Sequence, residues 1–219
     1  MITVTAFKWV PPFAQGQVRD LRVRWALEEA GIPYEEKLIG FGDGDAPAYR
    51  AIQPWGQVPV MEEDGFSLFE SGAILLNIAD RSGALCPPDA AGKAKMTQWV
   101  FAALNSVEPH LQNLAAIDFF YAKEAWAKER RPGAESFARM KLASLSKRLA
   151  GREWLEDRFT AGDLMMSTVL RIAGHTDLVS ADPVLGPYHA RCEARPAFKK
   201  ALADQLATFK AHEPVAEPA

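Results

Sequence analysis

The 219 residues suffice for one large domain or for two modest ones with cores of their own. Hydrophobic residues make up 48% and charged residues 24%, a globular balance that excludes wholesale disorder. With 25 basic and 28 acidic residues the formal charge is −3, which gives no electrostatic case for nucleic acid or an anionic membrane as the main partner.

Residues 2–9 are rich in β-branched and aromatic side chains and read as a strand. From about residue 18 to 30, Val23, Ala26, Leu27 and Ala30 fall at i, i+3, i+4 and i+7, one face of a helix that Gly31 and Pro33 end. Residues 34–39 form a second strand, and strand, helix, strand at this spacing predicts a parallel pair. The stretch 40–57 carries too many Gly, Pro and Asp for regular structure. Residues 58–62 and 66–69 flank Asp64-Gly65, a strong hairpin signal, and Ser71 opens a helix to about Asp80.

Strand signals then stop. Residues 81–92 read as a linker, followed by periodic helical segments near 93–114, 134–149, 161–173 and 196–209. Thr160 with Asp163 forms a capping-box pattern and Phe159 with Leu164 the flanking hydrophobic staple. Residues 211–219 read as a frayed tail. No apolar run approaches the roughly 18 residues of a membrane-spanning helix, and the N-terminus lacks the order of a secretory signal. Cys86 and Cys192 stand alone, and His110, His175, His189 and His212 share no ligand spacing, so no metal is expected. A reducing cytoplasm is the expected location.

The segments VRWALEEAGIPYE, AIQPWGQVPVMEEDGFSLFESGAILLNIAD, EWLEDRFTAGDLMMSTVLRI and RCEARPAFKKAL, in this order, resemble the cytosolic glutathione transferase superfamily across nearly the whole chain. The resemblance implies an α/β thioredoxin-like domain over residues 1–80, a linker over 81–92, and an all-α domain over 93–219. It further implies a homodimer. Glutathione is then the co-substrate and a hydrophobic small-molecule electrophile the second one, received against the first helices of the all-α half. By that resemblance Pro59 is cis, and Val58 before it offers main-chain groups to the cysteinyl unit of glutathione; the residues alone read equally as a trans proline opening a strand. Glu70 and Ser71 answer the γ-glutamyl end and Gln57 the backbone or glycine end. Ser71 also reads as a helix N-cap, and Gln57 as a solvated loop residue.

Such enzymes depend on the glutathione thiolate as nucleophile. The loop between the first strand and the first helix, residues 9–20, contains no Ser, Thr, Tyr or Cys. Its Pro11-Pro12-Phe13-Ala14 is similar to the Cys-Pro-Phe-Ala motif of omega-type transferases, with proline in place of cysteine. The remaining candidates for thiol activation are Trp9 through its indole N–H, Arg19 and Arg22 through charge, and the N-terminus of the first helix. Trp9 also reads as core, and the arginines as a solvated face or ion pairs. Three functions follow: a glutathione transferase, a glutathione-binding or protein-interaction module of the same fold, and a thiol-disulfide oxidoreductase. The last is disfavoured by the lack of any cysteine in the first eighty residues.

Overall fold

A computed structural model describes residues 1–214; of the expected tail, residues 215–219 lie outside the described ones. The elements in chain order are β1 (Ile2–Phe7), α1 (Asp20–Ala30), β2 (Tyr34–Ile39), α2 (Pro47–Arg50), β3 (Val60–Glu63), β4 (Phe66–Phe69), α3 (Ser71–Ser82), α4 (Ala90–Phe101), α5 (Glu108–Phe120), α6 (Ala125–Leu149), α7 (Ala161–Leu170), α8 (Leu185–Glu193) and α9 (Pro196–Ala211). The chain forms two compact units, one of Met1–Ser82 with the chain from Pro196 onward, the other of Gly83–Arg195.

In the first unit the sheet order is β2-β1-β3-β4, with β1 parallel to β2 and β3 antiparallel to both neighbours. This is the thioredoxin-like arrangement the sequence implies. Asp64 and Gly65 both take positive φ, as a two-residue hairpin turn with the twist of its strands requires. Gly31, at φ 64, closes α1 by returning N–H bonds to the last turn.

Helix α1 is buried on every side from Asp20 to Leu27. Its second cover is α9, where Phe198 meets Trp25 edge-on at 4.8 Å and Gln205 donates to the Asp20 carboxylate at 2.8 Å. The segment 196–209, which the sequence reading assigns to the helical half, therefore packs with the first unit. Arg24, 1% exposed, bonds Asp20 at 2.6 Å and Glu36 at 2.5 Å. Burial pushes the Asp20 carboxyl up, against the pull of Arg24. Burial also opposes ionisation of the less buried Glu36, but there the hydrogen bond from Arg24 wins and holds it below the usual carboxylate range.

In the second unit the expected helix over 93–114 is two helices joined by a wider π-helical turn over Ala102–Val107. Pro109 has no N–H to give the preceding turn, and Glu108 bonds back five residues to Ala103. Helix α6 starts at Ala125, ahead of the expected segment 134–149, and runs through Pro132-Gly133. Arg131 bridges Asp118 by two bonds and Glu135 by another, holding that turn helical. Helix α8 is not among the expected helical segments; its Leu185, Tyr188 and Cys192 share one buried face.

The cap of α7 forms as the sequence predicts. Asp163, wholly buried, accepts from the N–H of Thr160 at 3.0 Å and of Leu155 at 2.9 Å, and from the Tyr188 hydroxyl at 3.0 Å. Among the described residues, no helix is long and apolar enough to cross a membrane.

Asp163 and Glu36 each yield a prediction. Asp163→Ala strands two N–H groups and a phenol in the core and lowers unfolding free energy by about 3 kcal/mol or more, against about 1 kcal/mol for Thr160→Ala, measured by urea titration. Glu36 prefers its ionised form when folded, so its contribution is present above the ordinary value of 4.5 and is lost as pH falls through the lower folded value. Glu36→Gln should therefore be less stable than the parent at neutral pH, with the gap closing as pH falls below 4.5.

Candidate functional site

The loop from α2 to β3 looks irregular in sequence but is tightly held. The Tyr49 hydroxyl donates to the Gln57 carbonyl at 2.7 Å, and Arg50 to the Pro54 carbonyl at 2.7 Å. Arg50 also pairs with Asp45 at 2.5 Å, and the Gln53 side chain accepts the Trp55 N–H at 2.6 Å. Two glycines close the loop against the turn before α2. A Cβ on Gly44 would lie 2.4 Å from the Gly56 carbonyl oxygen, and one on Gly56 would lie 2.7 Å from that of Gly44. The loop ends in a cis peptide between Val58 and Pro59. The sheet ladder starts one residue later, with Val60 opposite Phe69. Among the described residues no group pairs with the main-chain N–H or C=O of Val58, although its side chain is buried with Ile39, Tyr49 and Val60. Gln57 is exposed.

The second part of the site is the start of α3. Glu70 is exposed and holds φ at 69°, a left-handed conformation that costs a non-glycine residue on the order of 1 kcal/mol. Its carbonyl takes the Ile74 N–H at 2.9 Å, so Glu70 occupies the cap and Ser71 stands inside the first turn. The N-cap reading of Ser71 is therefore corrected. Its buried hydroxyl accepts instead from Arg22 at 3.2 Å, a residue 3% exposed. The first N–H groups of α3, the Ser71 hydroxyl, the Arg22 guanidinium and the exposed Glu70 carboxylate thus gather at one helix end. That combination suits an anion with an ammonium group beside it.

The third part is the loop before α1. The indole nitrogen of Trp9 is enclosed and has no hydrogen-bond partner. Arg19 stands half-buried at the cap position of α1 with no side-chain cap bond. The N–H groups of Leu21 and Arg22 return to the carbonyls of Val18 and Arg19 at 3.0 and 3.1 Å. The buried Asp20 carboxylate already answers the positive end of the helix. The expectation that this helix end offers open donors is corrected accordingly. Of the three thiol candidates, Arg22 is drawn to Ser71, 49 residues away. The sequence reading passes over Tyr49, Arg50, Gln53 and Gly44; an aromatic residue inside a Gly/Pro/Asp run was the available signal.

In the second unit, the aromatic stretch at the turn from α5 to α6 is surface rather than core. Phe120 is 65% exposed and Trp126 48%, with Tyr121 against Trp126 at 5.1 Å. Among the described residues no group of three or more His, Cys, Asp or Glu could hold a metal ion.

A family model described as glutathione S-transferase, N-terminal domain, matches residues 7–80. The chain is 30% identical over 182 residues to glutathione S-transferase 3 of Schizosaccharomyces pombe, an alignment covering 75% of this chain and 74% of that one. It is 26% identical over 193 residues to the disulfide-bond oxidoreductase YfcG of Escherichia coli, covering 80% and 86%. Among solved structures, a glutathione transferase from Burkholderia graminis with two glutathione molecules bound per subunit aligns with a TM-score of 0.79 at 29% identity, over 92% of this chain and 87% of that one.

Gly44→Ala puts a methyl group into the Gly56 carbonyl, and backbone cannot yield as a side-chain tip can. The variant should lose about 2 kcal/mol of stability, with amide NMR signals of residues 53–58 shifted and those of the second unit in place.

Proposed function

The chain belongs to the cytosolic glutathione transferase superfamily, and on that premise we propose that it binds glutathione along Val58 and conjugates the thiolate to a hydrophobic electrophile. The observation that carries this reading is the unpaired main chain of Val58 beside its cis peptide, in the same unit as the anion seat at the start of α3. An extended tripeptide pairs with such an edge as a strand does. The γ-glutamyl carboxylate meets the first N–H groups of α3, Ser71 and Arg22, and its ammonium meets Glu70. The cysteinyl unit pairs with Val58 at the cis-Pro59 turn, and Gln57 serves the glycine end.

On the thiol side, Arg19 supplies positive charge and Trp9 one further donor, while Arg22 acts at the glutamyl end. The thiol proton leaves to solvent, the thiolate attacks the electrophilic carbon, and a C–S bond forms with departure of a leaving group or protonation of the adduct. A homodimer is part of this reading. One observation favours a second reading, a glutathione-binding module without turnover: residues 9–20 hold no hydroxyl or thiol.

The test is glutathione affinity by calorimetry, with conjugation rates over an electrophile panel and reduction of a small disulfide by glutathione. Binding with conjugation above the uncatalysed rate is expected, and Arg19→Ala should slow it about tenfold. Binding without turnover leaves the module, disulfide reduction alone makes the chain an oxidoreductase, and absence of binding removes all glutathione readings. Ser71→Ala should weaken glutathione about fivefold with little change in melting temperature.

A further inference from the structure

The peptide unit between Gln57 and Val58 has two ends. Its carbonyl oxygen belongs to Gln57 and its N–H to Val58, and planarity fixes one opposite the other. Tyr49 holds the oxygen at 2.7 Å, while the N–H has no partner among the described residues. We infer that Tyr49 is a positioning residue: its hydroxyl sets the direction and strength of the Val58 N–H that meets the cysteinyl unit of glutathione. This rests on the glutathione site proposed above.

Two physical effects act together. Anchoring the oxygen removes rotation of the peptide plane about its flanking bonds, so the donor is aimed before ligand arrives and less ordering is lost on binding. A hydrogen bond accepted by a carbonyl also polarises its amide and strengthens the N–H at the far side. The anchor is itself fixed. Tyr49 is 7% exposed among Ile39, Val58 and Val60, and α2 carries it beside Arg50, which grips the same loop at Pro54. Burial, with the Glu62 charge adding to it, pushes the phenol up to about 12, so the hydroxyl remains a donor across the working pH range.

Tyr49→Phe keeps the ring and removes only the O–H. Glutathione binding by calorimetry should weaken about five- to tenfold, with KM for glutathione rising in step and kcat at saturation within about twofold. The amide signal of Val58 should shift in the unliganded protein. Ile39→Val loosens the same cluster without touching the hydrogen bond and serves as the control for stability. If Tyr49→Phe binds glutathione as the parent does, or if Ile39→Val weakens binding equally, the inference fails and the glutathione site stands. If the parent itself does not bind glutathione, the site fails and this role of Tyr49 with it.

Discussion

Arg24 is almost wholly buried and keeps its charge, so the first unit must supply anions inside its core. Burial works against the charged guanidinium, but the hydrogen bonds it donates to Glu36 and Asp20 outweigh that and hold the group firmly protonated. Each anion is tied down in turn by α9, Asp20 by Gln205 at 2.8 Å and Glu36 by Thr208 at 3.0 Å. A buried charge deprived of a partner costs several kcal/mol, so β2, α1 and α9 are held as a set rather than by apolar contact alone. That is why the last helix joins the first unit. The residues that answer the α1 charges lie about 170 to 190 positions downstream, and no local pattern marks them.

The same helix links this network to the ligand site. Asp20 and Arg24, four apart, share one face of α1. Arg22 lies two residues from Arg24, about 200° around a helix of 3.6 residues per turn. With Arg24 committed to Asp20 and to Glu36 of β2, Arg22 projects toward α3, where Ser71 receives it. Its neighbourhood in sequence suggests the loop before α1; helical geometry turns it to the first turn of α3.

Features governed by neighbours in the chain were legible. The Asp64-Gly65 turn, the Gly31 stop and the Thr160–Asp163 box each depend on residues within about four positions, and each forms as read. So was the cis-Pro59 turn, once the motif around it was recognised. The stretch 40–57 was opaque for a different reason. Its order comes from side chains bonding to main chain and from two glycines meeting across twelve positions, and neither mechanism leaves a period in the sequence. Absence of pattern there reflects non-repeating interactions, and the result is a rigid platform for Val58.

The site is unevenly equipped. The start of α3 gathers helix N–H groups, a hydroxyl, a cation and a carboxylate, whereas the loop before α1 has spent its helix donors and holds Asp20 at the first turn. A free thiol titrates near 8.5, and lowering that by two units takes about 2.7 kcal/mol. One cation about 4 Å from the sulfur supplies about 4 kcal/mol at an effective dielectric of 20, but only about 1 kcal/mol in bulk water. Keeping water from a thiolate also removes its hydration, and beside Arg24 the buried Asp20 shows that this loss can exceed the pull of one arginine. On the proposed reading a single arginine is therefore marginal, and a donor such as the Trp9 indole N–H, bonding the thiolate directly, would have to supply the rest.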